Sequence, residues 1–296
     1  RLESAKKLKL FVAAMAARPR WAMLSAGIGA RQAPWLEAVE RAAAHALARE
    51  GATVVGGNLS RVSGAAWLTL ALVGEVEPGR ARTRRGARPG DLLAVTGTPG
   101  LAGAFVRLAE IRGRRGALES QGDALVETWM NPPSRIAAAR AMAATGAVTA
   151  AIDVSDGLAG DLAQLCRASG VGAELDAVAL DDDAVLIAAA RRLLGRVGAP
   201  GRAASHDARR QGAPPVSAAL ARVVRELRLS PSDDYELLLA VDPRRRETCA
   251  EAAEAAGAPL RFIGTVTAKS GERSLRLADG SRVALGGRGY DHFARA

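Results

Sequence analysis

Two carboxylates and a hydroxyl lie close together in the middle of the chain. Asp153 stands near the end of an apolar run that starts at Val148, and Ser155, Asp156 and Gly157 follow before an amphipathic pattern begins. Because alternate residues of an extended segment share a face, Asp153 and Ser155 are expected to point the same way. Carboxylate oxygens are ligands that Mg²⁺ takes together with phosphates. The pattern therefore predicts a strand-to-helix junction that holds Mg²⁺ beside a phosphate.

The start of the following helix adds a second feature to this junction. The first N–H groups of a helix have no partners within the helix, and they bind anions such as phosphate. The alternative interpretation is purely structural: the segment is an Asx turn, and Asp156 only caps the helix. The motif alone leaves both interpretations open.

Two further segments carry residue types that suit the same chemistry. Gly56, Gly57 and Asn58 follow a β-type run. Paired glycines let a ligand approach the backbone closely, although a β-bulge or a turn explains them equally well. Asp234 and Glu236 alternate at the entry of another strand and are expected to face together. A solvated strand entry is the alternative there.

Strands and helices must position these residues. Short β-type runs alternate with helical spacing of apolar residues, which is typical of a mixed α/β protein. Besides the junction, strands are predicted over 20–28, 52–60, 65–75, 91–96, 173–177, 260–267, 274–277 and 282–285, and a polar turn leads into a strand over 230–241. Helices are predicted over 34–50, 101–111, 119–129, 134–145, 181–194 and 244–256.

A basic connector that contains Gly and Pro, residues 80–89, separates two parts of this pattern. We place a domain boundary there and predict an N-terminal domain over residues 1–87 and a C-terminal domain over residues 88–296. Residues 195–215 are rich in Gly, Pro, Ala and Arg without periodicity, and they predict a mobile loop. His206 lies in that loop, where a single histidine is more often solvated than chemically active.

The composition argues against several classes of protein. At 296 residues and 49% hydrophobic content, the chain is long enough for two packed domains. No apolar run reaches about 18 residues, so no membrane partner is expected. The net charge of +10 comes from scattered residues, and aromatics are only 3%, so no nucleic-acid partner is expected. Cys166 and Cys249 are isolated, which fits a reducing compartment, and we predict a cytoplasmic protein.

Five segments, in their order and spacing, resemble the thiamine-monophosphate kinase family of the aminoimidazole ribonucleotide synthetase-like superfamily. They are GGNLSR at 56–61, RRGARPGDLLAVTGTPG at 84–100, AIDVSDGL at 151–158, SDDYELLLAV at 232–241 and GYDHF at 289–293. The resemblance implies an α/β (α+β) fold with a two-domain aminoimidazole ribonucleotide synthetase-like architecture, a partial N-terminal domain plus a complete C-terminal domain. It also implies a homodimer formed through the N-terminal sheets if the N-terminal domain is intact.

The resemblance further implies ATP-dependent phosphorylation of thiamine monophosphate to thiamine diphosphate in thiamine cofactor biosynthesis, with Mg²⁺ between aspartates and nucleotide phosphates. Such transfer depends on positioning and charge neutralisation. By motif, the implied roles are catalysis and metal binding for Asp153 and Asp156, metal and nucleotide binding for Asn58, nucleotide binding for Gly57, Arg84 and Ser155, and substrate binding for Glu236 with Phe293 or Tyr290. An acidic group and an aromatic ring suit a cationic aminopyrimidine-thiazolium.

The chain also departs from the family pattern. The family's N-terminal Asp-Asp segment has no counterpart, residues 8–11 replace Asn-Leu-Ser-Asp, and Asn58 and Leu59 replace Asp-Thr. Each change removes a negative ligand, and the number of charged ligands governs metal affinity. We therefore expect an N-terminally truncated or degenerate member. An active kinase, an impaired relative that binds nucleotide or thiamine phosphate without turnover, and a sibling enzyme of the superfamily stay open as alternatives.

Overall fold

A computed structural model describes residues 10–31, 33–112, 124–194 and 217–286. The strands are β1 (Arg18–Ile28), β2 (Thr53–Arg61), β3 (Trp67–Glu75), β4 (Leu92–Thr96), β5 (Val148–Val154), β6 (Gly172–Asp176), β7 (Glu236–Val241), β8 (Leu260–Thr267), β9 (Arg273–Arg276) and β10 (Arg282–Ala284). The helices are α1 (Ala33–Ala48), α2 (Leu101–Arg112), α3 (Ala124–Met130), α4 (Ile136–Ala144), α5 (Leu158–Ser169), α6 (Ala177–Asp181), α7 (Ala184–Leu193), α8 (Ala218–Leu229) and α9 (Arg246–Ala255). Residues 10–14 are also helical, and Pro243–Arg245 form a 3₁₀ turn.

The N-terminal sheet has three strands in the order β2-β1-β3. β1 pairs with β2 in parallel and with β3 antiparallel. A parallel pair needs a crossover connection, and α1 supplies it. One face of the sheet packs against this helix through a small core to which Ala22, Leu24 and Leu70 of the sheet and Ala43 and Leu47 of α1 belong.

The other face of the N-terminal sheet is open to solvent. The strand register places Trp21 beside Val73 and Gly27 beside Trp67, and Met23 lies on the same face. Trp21, Met23, Trp67 and Val73, which we call the open face, are each close to half exposed. Clusters of exposed apolar side chains mark interaction surfaces.

The C-terminal sheet has seven strands in the order β10-β9-β6-β8-β4-β7-β5. Neighbouring strands run antiparallel except β6 and β9. Apolar clusters cover both faces: α5 and α6 pack on one, and α4, α9 and the helical turn 10–14 pack on the other. A third cluster joins α2, α3, α7 and α8. Every residue of β7 is buried, because this strand lies inside the sheet with both faces covered.

The connector between the two sheets covers the edge strand β5. The N–H of Ala151 donates to the Thr83 carbonyl at 2.9 Å, so the connector runs along β5 like a further short strand. Ser169 of α5 fixes the next residue, because its hydroxyl donates to the Arg84 carbonyl at 2.7 Å. This pairing carries Arg84 to the end of β5 where Asp153 lies.

The predicted strands and helices are confirmed within the described residues, with two differences. The helix predicted over 181–194 begins later than predicted: α7 starts after Asp183, whose carboxylate accepts from the N–H groups of Val185 and Leu186 at 3.0 Å. This cap needs an extended Asp183, which keeps residues 182 and 183 out of the helix. The second difference is that the pattern predicted neither α6 nor α8.

Residues 195–215, including His206, lie outside the described residues. In the ranges that are described, no helix combines the length and the apolar character needed to cross a membrane.

Candidate active site

The predicted strand-to-helix junction is confirmed. β5 ends at Val154, α5 begins at Leu158, and the turn between them holds Ser155, Asp156 and Gly157. Gly157 has a φ of 105°, and a Cβ there would come within 2.6 Å of the Ser230 carbonyl. Glycine is therefore required, and it lets the turn pack against the segment that leads into β7.

Asp161, which the sequence patterns did not single out, holds this turn. Its Oδ2 accepts from the N–H groups of Ser155 at 3.0 Å and of Asp156 at 3.1 Å. The N–H groups of Ser155 and Asp156, which precede α5, are therefore occupied by a carboxylate of the chain. Anion binding by the first N–H groups of the helix itself stays a prediction.

The turn gathers negative charge. Burial is the main cause that raises the pKa of the Asp161 carboxyl to about 6, and the nearby Asp153 and Asp156 carboxylates raise it further, against the effect of the two N–H bonds. Asp153 is buried, and Arg84 Nη2 lies 3.8 Å from its Oδ1. Asp153, Asp156 and Asp161 thus concentrate negative charge at this turn, and the Arg84 guanidinium lies beside Asp153.

This turn is not a complete metal cage. Within residues 10–31, 33–112, 124–194 and 217–286, no three His, Cys, Asp or Glu side chains are grouped so as to hold a metal ion. Asp153 and Asp156 offer carboxylate oxygens, and the remaining ligands must come from outside this part of the chain. That donor set fits Mg²⁺, which binds through one or two carboxylates together with phosphates and waters.

Glu236 is buried, and both oxygens of its carboxylate accept hydrogen bonds. Arg135 donates to it through two bonds of 2.6 Å, Nε to Oε2 and Nη2 to Oε1, and the Thr96 hydroxyl donates to Oε2 at 2.5 Å. Thr96 Oγ1 in turn accepts from the N–H of Leu237 at 2.9 Å. The cluster ties together the end of β4, the start of β7 and the start of α4, beside Val154 in the strand register.

Asp234 points to the same part of the sheet. Its carboxylate accepts from the N–H groups of Gly100 at 2.7 Å and Ala102 at 3.1 Å and from the Ser232 hydroxyl, so it caps α2. Burial is the main cause that raises the pKa of Asp234 to about 6. Asp234 and Glu236 are both almost completely buried, which contradicts a solvated strand entry.

Gly57 and Asn58 lie in the middle of β2, in the other sheet, and not in a turn. A bulge is present here, because Ala22 pairs with Val54 and Met23 with Gly56, which leaves Val55 as the extra residue. A Cβ at Gly57 would lie 1.8 Å from the Leu24 carbonyl, so strand pairing explains that glycine.

Asn58 is exposed, and its Nδ2 donates to Ser60 Oγ at 3.3 Å. Among the described residues, neither a hydrogen bond nor an ion pair joins Asn58 to Asp153. The structure therefore brings together Asp153, Ser155, Asp156 and Arg84, and it leaves Gly57 and Asn58 in a separate sheet. Tyr290 and Phe293 lie outside the described residues.

Asp161 and Arg135 are the residues that sequence reasoning missed. A signal for Asp161 exists, because it stands between Leu158, Leu162 and Leu165 on the buried face of α5, where an acidic residue needs a polar partner. Arg135 gives no comparable signal, since it lies 101 residues from Glu236 in the chain.

Comparison with known proteins agrees with this architecture. Residues 12–76 match the family of AIR synthase related protein, N-terminal domain, and residues 88–275 match AIR synthase related protein, C-terminal domain. The fold and the acidic junction thus define a member of this class. Thiamine-monophosphate kinase of Escherichia coli K12 is 32% identical over 288 residues, which cover 96% of this chain and 76% of that protein. The chain belongs to the thiamine-monophosphate kinase family.

Two solved structures resemble the fold. The crystal structure of thiamine-monophosphate kinase from Stenotrophomonas maltophilia K279a has a TM-score of 0.72 at 28% identity, and the match covers 93% of this chain and 77% of that one. AaThiL complexed with AMPPCP and TMP has a TM-score of 0.68 at 23% identity, with coverage of 98% and 81%.

Proposed function

We propose that the chain transfers the γ-phosphoryl group of ATP to thiamine monophosphate and forms thiamine diphosphate. The observation that carries this proposal is the acidic junction at the end of β5, with Arg84 beside it, in a chain of this family. A relative of the same fold binds AMPPCP, a nucleotide, together with TMP. Phosphoryl transfer needs positioning and neutralisation of phosphate charge, and acidic side chains that gather Mg²⁺ beside an arginine serve both needs.

The proposed roles follow from the geometry of the junction. Asp153 and Asp156 present carboxylates to Mg²⁺, and Ser155 offers a hydroxyl between them. Arg84 is about half exposed, so its guanidinium reaches outward from Asp153 towards nucleotide phosphates. Mg²⁺, when bound, neutralises the charge that develops on the phosphoryl oxygens. Gly57 and Asn58 contribute to nucleotide and metal binding only if the N-terminal sheet closes on the junction.

The substrate residues are also part of the proposal. Glu236, with Phe293 or Tyr290, is proposed to hold the cationic rings of thiamine monophosphate. The carboxylate of Glu236 is occupied by Arg135 and Thr96 in this structure. Substrate contact by Glu236 therefore requires that Arg135 share or release the carboxylate.

The test is the formation of ADP and thiamine diphosphate with Mg²⁺, measured with and without thiamine monophosphate. Asp153→Asn is expected to reduce kcat/KM by more than about 100-fold, the upper end of the cost of losing even an outer-shell partner of a metal. Asp91→Asn is the matched control. Asp91 is equally buried and holds a turn at the opposite end of β5, where it accepts from Arg88 N–H and Thr149 Oγ1. Equal losses in both variants would contradict the assignment of Asp153.

A second candidate function is binding without catalysis: the chain would bind nucleotide or thiamine phosphate and would not turn it over. One observation favours it: Asn58, which stands where the family pattern has an aspartate, is neutral and lies on a separate sheet. Calorimetry that detects binding of ATP and thiamine monophosphate, in a protein that releases no ADP, would decide for this alternative.

We also propose a homodimer and a cytoplasmic location. The open face supports the homodimer, because an apolar sheet face is stable when a second copy covers it. Sedimentation velocity tests this proposal, and a monomer at all concentrations would contradict it. Both cysteines are free and buried, and burial raises the pKa of each thiol to about 11, which fits a reducing compartment. Fractionation of cells that express the tagged chain tests the location.

A further inference from the structure

The hydrogen bonds at Glu236 leave one acceptor position on its carboxylate. Oε2 accepts twice, from Arg135 Nε at 2.6 Å and from the Thr96 hydroxyl at 2.5 Å, whereas Oε1 accepts from Arg135 Nη2 at 2.6 Å. Each carboxylate oxygen has two lone pairs that can accept hydrogen bonds. The described residues place no second donor on Oε1, so one lone pair of this oxygen is available to a ligand.

The loop after β4 packs directly against this ion pair. Gly97 has a φ of 56°, and a Cβ there would lie 2.1 Å from Glu236 Oε1 and 2.7 Å from Arg135 Nη2. A side chain at residue 97 would therefore push the carboxylate out of place. Glu236 also pairs with Val154 in the strand register, so the ion pair lies one strand away from the acidic junction.

The ion pair has no net charge, and this decides what it can recognise. Arg135 is 7% exposed and Glu236 is 4% exposed, so the two charges neutralise each other with little water between them. Such a pair attracts a cation weakly, but its carboxylate still accepts a hydrogen bond, and a bond to an ionised acceptor is strong. In thiamine monophosphate the nitrogen that carries hydrogens is the amino group of the pyrimidine ring.

We propose that Arg135 is a positioning residue for substrate recognition, which shares the Glu236 carboxylate with the substrate and holds the free lone pair of Oε1 for the pyrimidine amino group. The forked guanidinium sets this direction, because its two parallel bonds fix the plane of the carboxylate. Arg135 itself touches neither the substrate nor the metal. The inference rests on the proposed function, in which Glu236 holds the rings of thiamine monophosphate.

Three substitutions at the ion pair and one control separate this role from a structural one. Arg135→Lys keeps the positive charge but loses the fork, so the carboxylate can turn. Thr96→Val removes the hydroxyl donor from the carboxylate at nearly the same volume, and Thr96→Ser keeps a hydroxyl. Arg225→Lys is the matched control, because Arg225 lies 3.0 Å from Asp181 in a partly buried ion pair between α8 and α6.

The experiment is calorimetric titration of the full chain with thiamine monophosphate and two analogues. One analogue has hydrogen in place of the amino group, and the other has a neutral thiophene ring in place of the thiazolium. The unchanged protein should bind the amino-free analogue about 10- to 100-fold more weakly than thiamine monophosphate, which is the effect of losing a hydrogen bond to a charged group. Arg135→Lys should reduce this ratio to about threefold or less, because the acceptor is no longer held in place.

The other ligands and variants sharpen the result. The ratio for the thiophene analogue should be the same in Arg135→Lys and in the unchanged protein. Thr96→Val should lower the amino-group ratio, while Thr96→Ser and Arg225→Lys should keep it. In steady-state kinetics Arg135→Lys should raise the KM for thiamine monophosphate about tenfold and leave the KM for ATP and kcat unchanged, since only ground-state binding of one substrate is lost.

Several outcomes would overturn the inference. Equal affinity of the unchanged protein for thiamine monophosphate and the amino-free analogue contradicts it, and so does an amino-group ratio that Arg135→Lys leaves as it was. A change in the thiophene ratio instead would show that the pair recognises charge. If Arg135→Lys does not fold, as followed by circular dichroism, an unchanged amino-group ratio in Thr96→Val overturns the inference.

Failure of the proposed function looks different. The amino-group ratio then follows residue 135 as expected, but no thiamine diphosphate forms. Turnover with a ratio that ignores residue 135 removes the inference alone. A full chain that does not bind thiamine monophosphate removes both.

Discussion

The two sheets of this chain bury their residues to very different degrees. The seven-stranded sheet has apolar clusters on both faces, and its inner strand β7 is buried throughout. In the three-stranded sheet, β2 has only one residue that is even partly buried, and a single helix packs against one face of the sheet to form its small core. The C-terminal sheet is thus covered on both faces, while the N-terminal sheet keeps one apolar face exposed.

Polar groups follow the same division. The C-terminal region contains buried carboxylates and arginines that bond one another or the backbone, whereas the ion pairs of the N-terminal sheet and its helix are exposed. This difference in burial indicates that the C-terminal region holds its polar side chains in fixed positions. The junction at Asp153 is built into the well-packed region, and the N-terminal sheet is the part that the proposed homodimer would cover.

The largest expected effect is the difference in unfolding free energy lost when a buried and an exposed arginine–glutamate ion pair are broken. Arg135→Ala leaves the buried Glu236 carboxylate without its ion pair and should lower the free energy of unfolding by about 3–5 kcal/mol. Arg41→Ala breaks the exposed pair with Glu37 on α1, at 3.0 Å, and should cost at most about 0.5 kcal/mol. Urea unfolding followed by circular dichroism measures both. Similar losses would show that the two regions do not differ as their burial indicates.

A smaller effect concerns pH. Burial raises the pKa of Asp234 to about 6 from its ordinary 3.8, so folding favours the protonated carboxyl. This contribution to stability is fully present below about pH 3.8 and is lost as the pH rises through about 6, a change on the order of 3 kcal/mol at most.

Asp234→Asn should therefore flatten the dependence of unfolding free energy on pH between about 4 and 6. Chemical denaturation at a series of pH values measures the slope. Glu247→Gln, a change at the N-terminal end of α9, is the control and should leave the slope as it is. A variant at residue 234 that keeps the full slope would show that the buried Asp234 carboxyl does not cause it.

The smallest effect concerns the open face. Met23→Glu places a charge among Trp21, Trp67 and Val73 and should weaken the proposed homodimer at least tenfold, about 1.4 kcal/mol or more. Val185→Glu places the same charge on an exposed apolar position of α7 and should leave association unchanged. Sedimentation equilibrium measures both dissociation constants. An equal change in the two variants would mean that the open face is not the interface.

The sequence predicted most of the secondary structure and the strand-to-helix junction. At residues 148–166, strand composition, a polar turn and helical spacing agree with one another, so the prediction did not depend on distant residues. The later start of α7 was missed because three successive aspartates look like an acidic first turn, and only the bonds to Val185 and Leu186 show which of them caps the helix.

The partners of the site residues were harder to predict. Asp234 and Glu236 were expected to face together. Their hydrogen-bond donors include Gly100 and Ala102 for Asp234 and Arg135 for Glu236, and the order of strands in the sheet brings these distant residues near. Glycines 56 and 57 suggested close approach of a ligand, and the structure shows that Gly57 is also required by the pairing of β1 with β2. Local spacing shows which residues are unusual, and long-range pairing decides what they contact.

The position of β7 between β4 and β5 has a consequence for how the chain folds. Thr96 and Glu236, which meet in one hydrogen bond, are 140 residues apart in sequence. β4 and β5 are synthesised long before β7, the strand that lies between them in the sheet. Until β7 is made, the strand edges that pair with it remain unpaired. Contacts of such long range slow folding and expose aggregation-prone surface in the meantime. The acidic junction thus reaches its final surroundings late, after the ribosome has released β7.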